Sequence, residues 1–214
     1  MLFATAFLFT ACNNEKKTEE KTSAEASSDS ATTDSPKDKA WIPIDSAMMD
    51  KAWKESMTPG APHKMLAKGA GTWNGDVTMW MANGAPPMKS TATMVTNMLF
   101  NGLHQQSKHK GDMMGAPFEG ISTTGYDNTK KEFFSTWIDN MGSGILVTTG
   151  NWDEGNKTLT LSGTMKNPAN GLDCNVREVF KMADDNTQIL EMYGPDPQTG
   201  KEFKTMEIKY TRKK

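Results

Sequence analysis

The spacing of hydrophobic and polar positions changes at about residue 72 of this chain. Before that point, apolar residues such as Met48 and Trp53 recur at helical spacing behind Asp45, a residue type that caps helices. The Thr58-Pro59-Gly60 sequence ends this segment, because proline and glycine interrupt helices. We therefore predict a helix from Asp45 to about residue 57 and a second short helix over 62–68.

From residue 72 onward the pattern has a period of two, as in Leu159 and Leu161, which alternate with Thr158 and Thr160. Turn-forming Asn, Asp, Gly and Pro separate the alternating segments and leave no room for crossover helices. The predicted strands cover residues 72–80, 89–100, 103–110, 118–126, 132–140, 144–152, 157–165, 172–182, 188–193 and 203–212.

Successive short strands of this kind indicate an antiparallel meander, and closure into a barrel removes its unpaired edges. The predicted fold is therefore mainly β. It is a single antiparallel up-and-down β-barrel of about ten strands, similar to the calycins and lipocalins, with one or two short N-terminal helices. We assign 40–68 to the helices and 69–214 to the barrel domain.

The central hairpin, 118–126 and 132–140, is rich in aromatic residues and turns at Asp127-Asn128. Its aromatic side chains predict that this hairpin forms the thickest part of the core. Both of its faces are apolar, with Phe133 and Trp137 on one and Phe134 and Ile138 on the other. One face therefore needs a cover, either the N-terminal helices or a partner.

One face of the same hairpin combines aromatic rings, hydroxyls and one acid, because residues two apart share a face. Such a mixture is typical of a ligand pocket, where a few polar groups orient a molecule on an apolar wall. An alternative stays open, in which Trp137 packs beneath the helices as ordinary core. The predicted ligand-binding residues are Phe118, Tyr126, Phe133, Ser135, Trp137 and Asp139.

The N-terminus predicts a lipoprotein. Residues 1–11 form a short apolar run that ends at Cys12, and the Phe9-Thr10-Ala11-Cys12 sequence is similar to a lipobox, although Phe9 replaces the usual leucine. An ordinary signal peptide followed by a chance cysteine is the alternative. We assign 1–12 to the signal peptide and lipidation site. A lipid on Cys12 would make the membrane a partner of the protein.

Residues 13–39 are polar and charged, which predicts a disordered linker between anchor and barrel. Asn13, rather than aspartate, follows the cysteine, and by the familiar sorting pattern this favours the outer membrane of a Gram-negative cell. We therefore expect a lipid-anchored protein of the cell envelope.

Composition and motifs exclude several functions. The net charge of −2 comes from mixed acidic and basic residues without a basic patch, so we expect no nucleic-acid partner. His104 and His109 are five apart, so they face opposite sides of a strand, and His63 lies elsewhere. These positions leave no metal site and no cofactor to predict.

Of the neighbours Arg177 and Glu178, at least one is expected to face inward or to be paired. No nucleophile stands at a recognisable spacing from a base, so no catalytic residue is predicted.

Several long motifs are similar to the bacterial family catalogued as domain of unknown function 1579. They are GDMMGAPFEGISTTGYDN with FFSTWIDNMGSGI in the middle, and PGAPHKMLAKGAGTWNGDVTMW and EMYGPDPQTGKEFKTMEIKYTR at the ends. The resemblance runs from about Thr58 to Arg212. It implies the outline of the domain, but no activity and no catalytic residues.

Three functions are compatible with the sequence. The first is a binding module that holds a small apolar or amphipathic ligand in the barrel. The second is an interaction or envelope-maintenance protein whose barrel is filled by side chains. The third, a hydrolase that uses inward-facing acids, has the least support, and we do not expect an enzyme.

Overall fold

The computed structural model describes residues 41–214. The predicted signal peptide, Cys12 and the 13–39 linker lie outside this range. The two helices are α1 (Ser46–Ser56) and α2 (Ala61–Ala67). The strands are β1 (Gly71–Met79), β2 (Met88–Leu99), β3 (His104–Met113), β4 (Ala116–Asp127), β5 (Glu132–Asp139), β6 (Leu146–Asp153), β7 (Thr158–Lys166), β8 (Asp173–Asp184), β9 (Thr187–Pro195) and β10 (Glu202–Arg212).

Within the described range the strands form a closed barrel in which each strand pairs with its chain neighbours and β1 pairs with β10. Every pairing is antiparallel, so the predicted up-and-down barrel with short N-terminal helices is confirmed. Closure gives each strand two partners and leaves no exposed sheet edge. Because chain direction alternates, the β1–β2, β3–β4, β5–β6, β7–β8 and β9–β10 loops all lie at one end, which we call the mouth.

Local chemistry explains the turns. Asp45 caps α1 by accepting a hydrogen bond from the Met48 N–H at 2.8 Å. Asp127 nucleates the β4–β5 turn, since its Oδ1 accepts hydrogen bonds from the N–H groups of Thr129 and Lys130. The β3–β4 hairpin is tighter than predicted, with only Met114 and Gly115 between the strands. Both have positive φ, as a two-residue hairpin turn requires.

The helix end of the barrel lies opposite the mouth and is closed by α2. Leu66 of α2 is buried with Phe133, Leu159 and Leu161. Arg212 links this end to β10, because its guanidinium donates to the backbone carbonyls of Lys68 and Ala70. α2 therefore lies across this end of the barrel.

The prediction that the central hairpin is the thickest part of the core is wrong. The largest fully buried hydrophobic side chains are Trp73 and Tyr210, where β1 meets β10. Among the aromatic residues of β4 and β5 only Phe133 is buried, because the inner face of this hairpin borders empty space instead of packed side chains. The outer face is not covered by the helices, and its Ile138 is 48% exposed.

Candidate functional site

A cavity of about 290 Å³ runs through the barrel interior and is lined by side chains from β1–β5 and β7–β10. Small-molecule sites generally occupy roughly 300–1,000 Å³, so this space suits a compact ligand. The barrel is therefore only partly filled by its own side chains. The cavity extends from Leu66 at the helix end to Met113 and Met141 at the mouth.

The two halves of the cavity wall differ in polarity. On β2–β5 the inward positions carry hydroxyls, and two pairs bond across neighbouring strands: Thr96 with Ser107 at 2.8 Å and Thr124 with Ser135 at 3.0 Å. The opposite wall on β7–β10 and β1 is mostly apolar, with members such as Leu161. A molecule in the cavity therefore meets a hydroxyl-bearing face and an apolar face.

Trp137 forms the centre of an aromatic group near the mouth. Its ring stacks on Phe118 with 6.1 Å between centroids and meets His109 edge-on at 5.0 Å. Its Nε1–H donates to Asp139 Oδ2 at 2.6 Å, and Asp139 Oδ1 accepts from the Met141 N–H at 2.9 Å. These bonds hold the Trp137 ring in the cavity wall, and each oxygen of Asp139 accepts one of them.

His109 and Tyr210 meet across the barrel interior, with 3.4 Å between the Tyr210 hydroxyl oxygen and His109 Nδ1. Burial lowers the pKa of His109 from 6.5 to about 4, so its imidazole is neutral at pH 7. Burial also raises the pKa of the Tyr210 hydroxyl above its usual value. The pair therefore presents uncharged polar groups to the cavity.

Glu178 is an inward-facing acid halfway along β8. Its Oε2 accepts a hydrogen bond from Thr148 Oγ1 at 3.3 Å. Burial raises the pKa of its carboxyl group, and the bond from Thr148 opposes this shift in part. Its neighbour Arg177 faces outward, where it donates to both carboxylate oxygens of Glu202, as expected for adjacent strand residues.

The structure divides the six predicted ligand-binding residues into two groups. Phe118, Ser135, Trp137 and Asp139 line the cavity. Tyr126 and Phe133 lie at the helix end, where their rings are 4.9 Å apart and Tyr126 meets His63 of α2 edge-on. Trp137 therefore does not lie beneath the helices. Phe133, four residues earlier on the same face, does lie beneath them.

The predicted ligand-binding set lacks several cavity residues. Alternation already made Glu178 a candidate for an inward position, and it could have nominated the others. His109, Glu178 and Tyr210 occupy inward positions on three different strands. A polar residue in phase with apolar neighbours at i±2 is the relevant signal, as in the positions around Glu178. The sequence does not show that these strands face one shared space.

The geometry gives no support to a hydrolase. Ser135 bonds to Thr124 and lies four residues from Asp139 on β5, about 13 Å along the strand, so neither group activates the other. Glu119 faces the outside of the barrel, where it pairs with Lys110 at 2.8 Å, so it does not share a site with Asp139. No group of three His, Cys, Asp or Glu in residues 41–214 has the arrangement of a metal site.

The mouth carries exposed apolar side chains on several loops, which together form an apolar rim. Its members are Met81, Met114, Met141, Ile145 and Leu172. None of the helices in the described part of the chain is long and apolar enough to cross a membrane.

Comparison with known proteins places the chain in a family and finds solved structures of similar fold. Residues 58–212 match the family described as protein of unknown function DUF1579, and the chain belongs to that family. A search of curated proteins found no match. The crystal structure of Rv2717c from M. tuberculosis aligns with a TM-score of 0.55 at 8% identity, covering 73% of this chain and 100% of that one.

The S-type phycobiliprotein lyase CPES from Guillardia theta aligns with a TM-score of 0.51, also at 8% identity, covering 75% of this chain and 97% of that one. At such low identity these alignments show a shared fold alone. The predicted family is thereby confirmed, and the two alignments agree with the barrel fold.

Proposed function

We propose that this protein binds a small amphipathic molecule inside its barrel. The observation that carries the proposal is the cavity of about 290 Å³, with a hydroxyl-bearing wall on one side and an apolar wall on the other. Apolar area supplies affinity and a few fixed polar groups supply orientation, which is the usual composition of a small-molecule site.

Methionines at both ends of the cavity suit this role. Met79, Met113 and Met206 line the cavity towards the mouth, and Met65 lines it at the helix end. The methionine side chain is unbranched and flexible, so it adapts to the shape of a ligand with little strain. Trp137 and Phe118 add a flat surface on which a ligand can stack.

Two measurements test the proposal. Native mass spectrometry of the purified protein should reveal a co-purified small molecule. In solution, intrinsic fluorescence titrated with apolar and amphipathic probes should respond for the wild type. Trp137→Leu should abolish probe binding while lowering the free energy of unfolding by only about 1 kcal/mol, because this ring is half-buried beside empty space.

The matched control is Trp53→Leu, since Trp53 lies on α1 and is 61% exposed. This variant should bind probes like the wild type. If the wild type binds no probe and Trp137→Leu collapses the denaturant melt, the ring is structural core. The barrel would then serve as an interaction or envelope-maintenance protein.

We further propose that the barrel is anchored by lipid on Cys12 to the cell envelope, in the outer membrane. The apolar run before Cys12 and the polar 13–39 segment support this location. Replacing Cys12 with serine should move the protein from the membrane fraction to the soluble fraction. Retention of the Cys12→Ser protein in the membrane fraction would contradict lipidation.

A further inference from the structure

We infer that the cavity selects a cationic amphiphile, a molecule with an apolar body and an amine or ammonium group, over a carboxylate of the same length. This inference rests on the proposed ligand-binding function and specifies the charge of the ligand. It follows from the ionisable groups that face the cavity.

The cavity wall contains acids but no bases of permanent charge. Asp139 and Glu178 face it, Asp112 lies at its rim with an exposed side chain on the outward face of β3, and no lysine or arginine of the described residues lines it. His109 is neutral, because burial lowers its pKa to about 4. A carboxylate ligand would therefore enter a site with no positive partner and with like charges nearby, which is unfavourable in a poorly solvated interior.

Two acids on the outer wall, in contrast to those that face the cavity, have basic partners. Glu191 on β9 pairs with Lys204 at 2.6 Å, and Glu202 on β10 pairs with Arg177 at 2.7 Å. Within residues 41–214, neither Asp139 nor Glu178, the two acids that face the cavity, has such an ion pair. Some strand acids outside the barrel thus have counter-charges, whereas the two that face the cavity have none among the described residues.

Glu178 is the acid best placed to meet a ligand cation. It lies midway along the cavity wall, and Thr148 is its one hydrogen-bond donor in the described chain. Burying a carboxylate that has only one hydrogen bond costs free energy. An ammonium that donates to the second oxygen of Glu178 would recover part of this cost. The rings of Trp137 and Phe118 at the mouth add faces that attract cations.

An independent acceptor lies deeper in the cavity. The side chain of Gln188 is 3% exposed and lines the cavity near the helix end. Its Oε1 is buried and accepts no hydrogen bond from the described residues. Buried polar atoms are normally paired, so this oxygen offers a site for an N–H or O–H donor of a ligand.

The test compares three ligands that share one alkyl chain: decylamine, decanol and decanoic acid. Their affinities are measured by isothermal titration calorimetry at pH 7 with the full 214-residue chain carrying Cys12→Ser. Physiological salt screens attraction of the amine to the outer surface but not a buried pair. We expect decylamine to bind at least about tenfold more tightly than decanoic acid, with decanol between them.

The variant Glu178→Gln keeps the shape of the side chain and removes its charge. It should weaken decylamine binding about tenfold and leave decanol within about twofold of the wild type. The matched control is Glu119→Gln, which removes an acid from the outer face of β4 and should change neither affinity. Gln188→Met removes the buried acceptor at similar volume, so it provides a second test that is independent of Glu178.

Each remaining outcome is decisive. Tightest binding of decanoic acid would overturn the charge assignment and leave the binding function intact. Preference for decylamine that survives both Glu178→Gln and Gln188→Met would overturn the assignment of this preference to Glu178 and Gln188. Failure of all three ligands to bind would remove the proposed function and this inference together.

Discussion

Gly120 on β4 lies diagonally opposite Trp137 on β5, since the register partner of Gly120 is Asp139. A Cβ atom added at Gly120 would lie 2.5 Å from Cη2 and Cζ2 of the Trp137 ring, well inside van der Waals contact. The missing side chain of Gly120 therefore makes room for the indole, which covers the strand at this point. Glycine usually weakens a strand. At this position its lack of a side chain lets the Trp137 ring lie in the cavity wall.

Gly120→Ala should displace the Trp137 ring. Because the indole is rigid and tied to Asp139, we expect a loss of about 1–3 kcal/mol in the free energy of unfolding and weaker probe binding. Denaturant melts and probe titrations measure both effects. Gly142→Ala is the control, since a Cβ there meets no atom within 4 Å. Unchanged stability and binding in Gly120→Ala would show that the ring adjusts freely.

His109 should make the protein sensitive to acid. Its pKa is about 4 in the folded state and 6.5 without burial, so the unfolded chain binds the extra proton first as pH falls. The stability that this difference contributes is complete above pH 6.5 and is lost as pH falls towards 4. The full difference corresponds to about 3 kcal/mol.

His109→Gln should flatten the pH dependence of urea melts between pH 4 and 6.5, the window bounded by these two values. The comparison variant is His104→Gln, which alters the opposite face of β3. Equal slopes for wild type and His109→Gln in that window would contradict the buried, neutral state of His109.

Glu178 should change stability with pH in the opposite direction to His109. Burial raises its pKa above the usual 4.5, so the folded state holds its proton to higher pH than the unfolded chain does. The contribution of this pKa difference to the free energy of unfolding is complete below pH 4.5. It is lost as pH rises through the folded-state pKa of Glu178. Without an ionisable carboxyl, Glu178→Gln should be more stable than the wild type at neutral pH, by a margin that shrinks in acid.

Urea melts of the wild type and Glu178→Gln across this pH range measure the margin. A constant difference at every pH would mean that the carboxyl titrates normally. If decylamine is added in excess, the wild type should gain about 1.4 kcal/mol more stability than Glu178→Gln, as a tenfold difference in affinity requires.

Asn128 fastens α1 to the barrel. Its Nδ2 group lies within hydrogen-bond distance of the carbonyl oxygens of Ser56 and Thr58, at 3.0 and 2.9 Å. Because α1 has no buried residue, these bonds are a large part of what holds it. Asn128→Ala should therefore speed amide exchange in α1 several-fold, at a net cost of about 1 kcal/mol.

The control is Lys130→Ala, which changes an exposed side chain of the same turn. The thermal melt of the barrel should be nearly the same for both variants. Equal exchange rates in α1 for Asn128→Ala and the wild type would show that other contacts hold the helix.

The sequence by itself determined the strands and much of the local structure. Alternation located all ten strands of the barrel, with ends mostly within three residues of those observed, because a period of two is a local property of the backbone. The Asp45 cap and the turn at Asp127 are local in the same sense, since each side chain bonds to backbone within three residues. That Phe118, Ser135, Trp137 and Asp139 share one face also follows from parity within one hairpin, whereas only the structure shows that this face lines the cavity.

Only the tertiary structure decided depth and distant contacts. Phe133 and Trp137 share a face, yet they lie about 13 Å apart along the strand, one beneath α2 and the other near the mouth. Parity states which side of a sheet a residue faces but not how far along the barrel axis it lies. The meetings of His109 with Tyr210 and of Thr148 with Glu178 join residues 101 and 30 positions apart. These contacts arise because closure brings inward faces of distant strands into one space, and no periodicity along the chain encodes that proximity.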